Sequence, residues 1–233
     1  MRAMILAAGL GTRMLPLTDT QPKPLLKVGD RTLIEHHVAR LVNNGIRQIV
    51  INHFYLGGMI EELLGDGAAY GAEIRYSRET VRLETAGGII KALPLLEEDS
   101  FVVVNSDIWT DYSFARLPAL DPDQCLAHLV LVPNAPHHPD GDFHLDTRGR
   151  VHEHPGSADP RLTFSGISVM HRRLFDGLTA EPMKLLPVLR GAMARNRLQG
   201  ERYDGLWMDI GTPARLTEVN QLASGQYKPG QSL

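Results

Sequence analysis

Between Ala3 and Asn105 the chain alternates four times between a short apolar or β-branched run and a stretch whose apolar residues recur at helical spacing. That alternation is the pattern of strands joined by crossover helices in a mostly parallel, doubly wound sheet. The strand runs are Ala3–Ala7, Arg47–Asn52, Glu73–Tyr76 and the fully apolar Phe101–Asn105. Asp30 is expected to cap the first helix, which carries Leu33, Ile34, Val38, Leu41 and Val42 and is closed by Gly45. The second carries Leu56, Met59, Ile60, Leu63 and Leu64 and ends at Gly65-Asp66-Gly67, and the third spans Thr85–Leu96.

After Asp107 the pattern changes. Leu126–Val132 and Thr163–Met170 read as strands, Gly141–Val151 as a hairpin turning at Arg148-Gly149, and Leu185–Arg197 as a helix. Trp207–Asp209 is a last short strand, and Pro213 opens a helix to about Ala223. The 233 residues fit one large α/β domain over residues 1–223, followed by a flexible tail at 224–233. No internal repeat and no hexapeptide array is present.

Composition removes several functional classes. A net charge of −3 argues against a general nucleic-acid binder, and no apolar run approaches the roughly 18 residues of a membrane span. The apolar run in MRAMILAAG is shorter than a secretory core segment and reads as a buried first strand. The single cysteine, Cys125, excludes an internal disulfide and reads as a packing residue. A cytoplasmic protein is expected, with neither nucleic acid nor membrane as partner.

That first strand runs into the loop Ala8-Gly9-Leu10-Gly11-Thr12-Arg13, followed by Pro22-Lys23-Pro24. Glycines let the backbone approach a polyanion and turn amides toward it, Arg13 offers a fork of donors for phosphate oxygens, and Lys23 adds a compact charge. The flanking prolines restrict the backbone that carries Lys23. A dinucleotide fingerprint would need a third glycine where Met14 stands, and a Walker loop would need G-K-[ST].

Leu6–Arg13 with Pro22–Leu25 resembles the signature of the sugar-1-phosphate nucleotidylyltransferases. The likeness continues through Val50–His53, Glu84-Thr85-Ala86-Gly87-Gly88, Asn105-Ser106-Asp107 and Trp207-Met208-Asp209-Ile210-Gly211-Thr212. It implies a single-domain, Rossmann-like nucleotidyltransferase fold of the GT-A-like kind, an α/β architecture with a mainly parallel mixed sheet flanked by helices. It further implies that Asp107 and Asp209 hold Mg²⁺ and that Ala8, Gly9, Gly11, Thr12, Arg13, Lys23, Glu84, Gly87 and Gly88 bind the nucleotide. Arg13, Lys23 and Asp107 are the expected catalytic groups. A sugar 1-phosphate is mostly ionised at neutral pH, so the reaction needs charge neutralisation and positioning and no general base.

Many members carry an E-K-P lysine for the sugar phosphate, whereas this chain has Glu153-His154-Pro155, and Lys184 is the candidate substitute cation. Val130–Asn134, His137-His138, Gly141–Phe143 and Leu162–Ser168 resemble a narrower group, the uridylyltransferases that use UTP and N-acetylmuramate 1-phosphate in cell-wall recycling. On that resemblance Asn105, Asp142 and Ser165 face the sugar. His137-His138 lacks metal-site partner spacing and reads as a solvated loop. A glucose- or mannose-1-phosphate nucleotidylyltransferase, a non-catalytic nucleotide-binding subunit and an alcohol-phosphate cytidylyltransferase are the competing readings. A loop around Asp140–Pro160 has the glycines and prolines of a mobile lid.

Overall fold

A computed structural model describes residues 1–154 and 161–225. Of the tail expected to be flexible at 224–233, residues 226–233 lie outside the described residues, as does the 155–160 part of the expected lid. In chain order the elements are β1 (Arg2–Ala7), the short hairpin β2 (Lys27–Val28) and β3 (Arg31–Thr32), α1 (Leu33–Asn43), β4 (Gln48–His53), α2 (Gly57–Leu64), β5 (Glu73–Arg78), α3 (Glu84–Leu96) and β6 (Ser100–Asn105). Then follow β7 (Ile108–Thr110), β8 (Ala127–Val132), β9 (Phe143–Leu145), β10 (Val151–His152), β11 (Arg161–His171), α4 (Leu185–Ala194), β12 (Leu198–Arg202), β13 (Trp207–Asp209) and α5 (Pro213–Ala223).

The apolar first strand is buried on both faces because helices cover both sides of the sheet. Ala3, Ile5 and Ala7 join the core under α1 and α2, while Met4 joins the core under α3 and α4. β1 pairs in parallel with β4 and β6, and β4 with β5, so the expected doubly wound half is present in the order β6-β1-β4-β5. The strand order reverses beside β1, and in such sheets ligands gather where the strands' carboxyl ends meet that reversal.

Beyond β6 the sheet turns antiparallel. β11 pairs with β6, β8 and β9, and β9 with β10, while β12 adds to β8 in parallel. The nine-stranded sheet is therefore mixed as a whole, parallel across β6-β1-β4-β5 and largely antiparallel beyond. β12 (LQGER) escapes the sequence reading because it carries a single apolar residue. The expected Asp30 cap is corrected: Thr32 caps α1 in a capping box with Glu35, and Asp30 lies in the β2–β3 turn. α4 stops at Ala194, earlier than expected, and Cys125 is buried as expected.

His37, on the inner face of α1, is fully buried with its Nδ1 unpartnered. Desolvation pulls its pKa down from 6.5 to about 4, and burial also lowers those of His128 and His171. A histidine held neutral by folding is protonated first in the unfolded chain as the pH falls. Its contribution is therefore complete above pH 6.5 and is lost between there and about 4. His37 alone is expected to cost about 2 kcal/mol of stability between pH 7 and pH 5. Urea midpoints across that range check this: His37→Gln should flatten the slope, and equal slopes for both proteins would refute it.

Candidate active site

Two loops leave the sheet at the switch point, one after β1 and one after β6. Gly9 has nothing within 4 Å of where a Cβ would stand, so the backbone there is open to an approaching group. Gly11 adopts φ +66°, and its missing Cβ lets Thr18 and the Lys23 stem close against it; Thr18 Oγ1 donates to the Gly11 carbonyl at 2.9 Å. The Pro22-Lys23-Pro24 segment thereby lies under the loop, and Lys23 Nζ donates to Asp107 Oδ2 at 2.6 Å. With its side chain only 11% exposed, Lys23 is held in one place.

The two aspartates expected to share a metal do meet. β13 pairs with β7 so that Asp209 lies opposite Ile108, and Ile210 N donates to the Asp107 carbonyl at 2.7 Å. The rest of the Trp207–Thr212 motif has mechanical reasons. Trp207 Nε1 donates to the Ser165 carbonyl at 2.8 Å, Ile210 is fully buried, and Thr212 caps α5. A Cβ on Gly211 would stand 2.3 Å from Arg215 Nη2, so the glycine lets Arg215 fold back one turn and donate to Asp209 Oδ1 at 2.6 Å. His137 Nε2 reaches the same oxygen at 2.7 Å.

Sequence reasoning missed both partners of Asp209. His137 is not a free solvated histidine, and His138 sits 3.1 Å from Asp142 Oδ1. A glycine four residues before an arginine at a helix start was the one available signal for Arg215.

Three adjoining cavities open here. The first, about 300 Å³, is lined by Ala8, Gly9, Lys23, Asn52, Arg82, Glu84, Thr85, Asn105 and Asp107. The second, about 310 Å³, brings Arg13, Asn105, Asp107, His137, His138, Ser165 and Asp209 together. The third, about 390 Å³, joins Thr85, Asn105, Asp142, Phe143, Glu153, Arg161 and Phe164 to the leucines of α4. Asn105 borders all three. Gly166, at φ +80° in an irregularity of β11, makes room for it, since a Cβ there would stand 2.6 Å from Asn105 Nδ2.

Several expected contacts need correction. Gly87 and Gly88 are buried, border none of the three cavities, and have protein on the side where a Cβ would stand. A Cβ on Gly87 would lie 2.1 Å from the Glu181 carbonyl oxygen, and one on Gly88 would lie 2.7 Å from Glu79 Oε1. The Met183 carbonyl also accepts the amides of Ala86 and Gly87. Glu84 takes φ +58° at the start of α3 and pairs with Arg82 at the mouth of the first cavity.

Behind that mouth, Asn52 Nδ2 donates to the buried Glu79 at 2.7 Å, and its Oδ1 accepts from Ala7 N at 3.0 Å. Thr12 begins a short 3₁₀ turn on the exposed part of the loop, and neither Gly11 nor Thr12 borders a cavity.

On the expected sugar side, Ser165 is 1% exposed and its Oγ accepts from Ile167 N, so it braces the irregularity. Asp142 Oδ2 accepts from Phe164 N at 2.8 Å, tying β11 to the wall of the third cavity. Lys184 is an exposed residue capping α4 and borders none of the three cavities, so the structure does not bring it into the site as the substitute cation.

Two carboxylates on one cavity supply hard oxygen donors of the kind a divalent cation takes. Among the described residues no group of three or more histidine, cysteine or acidic side chains is placed to hold a metal. An ion between these aspartates would draw its other ligands from phosphate oxygens and water.

The nucleotidyl transferase family model matches residues 2–225. The chain is 51% identical to the N-acetylmuramate alpha-1-phosphate uridylyltransferase of Neisseria meningitidis, over 98% of this chain and 100% of that protein. It is 36% identical to the enzyme of that name from Caulobacter vibrioides, over 95% of this chain and 96% of the other. The mannose-1-phosphate guanyltransferase of Schizosaccharomyces pombe is 30% identical over 91% of this chain, which spans 61% of that longer protein. In fold, the chain matches HddC of Yersinia pseudotuberculosis, solved with GMP-PN, at a TM-score of 0.77 and 18% identity over 95% of this chain and 98% of that one. Among the described residues no helix is long and apolar enough to cross a membrane.

Proposed function

The chain belongs to the nucleotidyl transferase family, and on that footing we propose that it transfers UMP from UTP to N-acetylmuramate α-1-phosphate, forming UDP-N-acetylmuramate and pyrophosphate. The observation that carries the sugar and base is the 51% identity to the Neisseria uridylyltransferase over its whole length. A phosphate oxygen of the sugar 1-phosphate attacks the α-phosphorus of UTP as the bond to the β-phosphate oxygen breaks. The electron pair leaves with pyrophosphate. The nucleophile arrives ionised, so no residue is required as a base.

The chain's own work is to hold two anions together and in line. Lys23, fixed by Gly11 and Asp107, and Arg13 at the second cavity offset charge on the triphosphate. The open backbone at Gly9, on the first cavity, gives the phosphates a close approach. Ala8 and Glu84, at the mouth of the first cavity, border the base. Asn105 stands between base, phosphorus and sugar, and the third cavity receives the sugar with Asp142 in its wall.

Asp107 and Asp209 would hold Mg²⁺, which when bound supplies Lewis-acid neutralisation at the α-phosphate oxygens. Lys23 on Asp107, with Arg215 and His137 on Asp209, holds both carboxylates in a fixed orientation.

Pyrophosphate release tests the reading, crossing UTP, dTTP, GTP and CTP against the 1-phosphates of N-acetylmuramate, N-acetylglucosamine, glucose and mannose. UTP with N-acetylmuramate 1-phosphate should exceed every other pair, and EDTA should abolish release. A different best pair would keep the family and overturn the sugar; no release with any pair would mean a binding protein.

A further inference from the structure

The third cavity has one basic residue among its described lining, Arg161, set against an apolar wall of Phe143, Leu185 and Leu189. Both acids nearby are already engaged. Glu153 is gripped by Arg190 through two hydrogen bonds, from Nε at 2.6 Å and Nη2 at 2.8 Å. Asp142 is occupied by Phe164 N and His138. The Arg161 guanidinium makes no hydrogen bond or ion pair with another described residue, although its field, after the stronger hold of Arg190, helps keep the Glu153 carboxyl below its ordinary range. Its backbone is fixed, paired with His144 of β9 and accepting from Asn134 Nδ2 at 3.2 Å. An exposed guanidinium on a fixed backbone, its donors unspent among the described residues, thus borders a cavity that has one apolar wall.

N-acetylmuramate differs from N-acetylglucosamine by one lactyl ether: a methyl group and a carboxylate. We infer that Arg161 recognises the lactyl carboxylate of the sugar, with the leucines of α4 taking up the methyl, and so selects N-acetylmuramate over neutral hexosamines. This inference rests on the substrate reading above. A guanidinium pairs with a carboxylate in two parallel hydrogen bonds, and low-dielectric walls strengthen that pair relative to water. Arg161 borders neither the first nor the second cavity, so its charge is placed for a group on the sugar and away from the reacting phosphorus.

The test compares Arg161→Ala and Arg161→Lys with the wild type, using UTP and either N-acetylmuramate 1-phosphate or N-acetylglucosamine 1-phosphate. Loss of a hydrogen-bonded charge pair corresponds to about a 10- to 100-fold fall in the kcat/KM ratio between the two sugars for Arg161→Ala, with partial recovery in Arg161→Lys. A ratio within twofold of wild type in both variants overturns the role, whatever the absolute rates, because a phosphate-holding or structural arginine lowers both substrates together. Calorimetric binding of the two sugar phosphates supplies the same ratio without turnover. Absence of any wild-type preference for the lactyl sugar overturns the substrate reading itself, an outcome distinct from an unmoved ratio.

Discussion

Asp107→Asn is expected to lower the rate of pyrophosphate release by about 10³-fold or more, because neutralising the α-phosphate is worth several kcal/mol and has no substitute in the site. The change keeps the side chain's volume and removes its charge. Asp107 is one of two carboxylates on the second cavity and the only described partner of the Lys23 ammonium. On the proposed reading the variant loses a hard anionic metal ligand, and it frees Lys23 from the partner that fixes it beside the phosphate loop. Its side chain is a third exposed and no core atom is lost, so the melting transition should stay cooperative. Initial rates over a Mg²⁺ series, beside a melt of the same sample, decide the matter. A rate within tenfold of wild type with the same metal dependence would remove Asp107 from the metal site.

Gly87→Ala should act on stability and leave nucleotide affinity nearly alone. Its new methyl group would stand 2.1 Å from the Glu181 carbonyl oxygen, a backbone atom that moves only if the 179–183 segment shifts off α3. Overpacking of this kind costs about 2–3 kcal/mol, or about 5–10 °C in Tm for a domain this size. A glycine that bared backbone to the uracil ring would give the reverse: a raised KM for UTP and an unmoved Tm. Differential scanning calorimetry and UTP saturation curves on one preparation separate the two.

The contrast shows where residue types alone stop being informative. A pair of glycines at a helix start is equally suited to a flat ligand and to a crossing backbone, and only the fold brings Glu181 there. The parallel half was legible because strands buried on both faces must be apolar along their length, as Met4, Ile5 and Val102–Val104 are. β12 and β7 were not, since a short strand added by its neighbours needs no pattern of its own. Asp107 and Asp209 came from motif resemblance, far apart in the chain and joined only by the β7–β13 pairing. Arg215 belonged to no motif and His137 was expected in a solvated loop; their roles emerge once Asp209 stands between them. The α1 cap falls on Thr32, two positions past the expected Asp30, because only from Thr32 does Glu35 stand three residues on to close a capping box.

Asn105 borders at once the three cavities proposed for base, phosphorus and sugar, backed by a glycine that permits no larger neighbour. A shared wall ties the choice of nucleotide to the choice of sugar, so that retuning one at this position retunes the other. On that reading, independent adjustment is left to walls that serve a single cavity, such as Arg82 in the first and Leu186 in the third. Diversification toward new sugar–nucleotide pairs from this scaffold should accordingly accumulate along α4 and the start of β11 while Asn105 stays fixed.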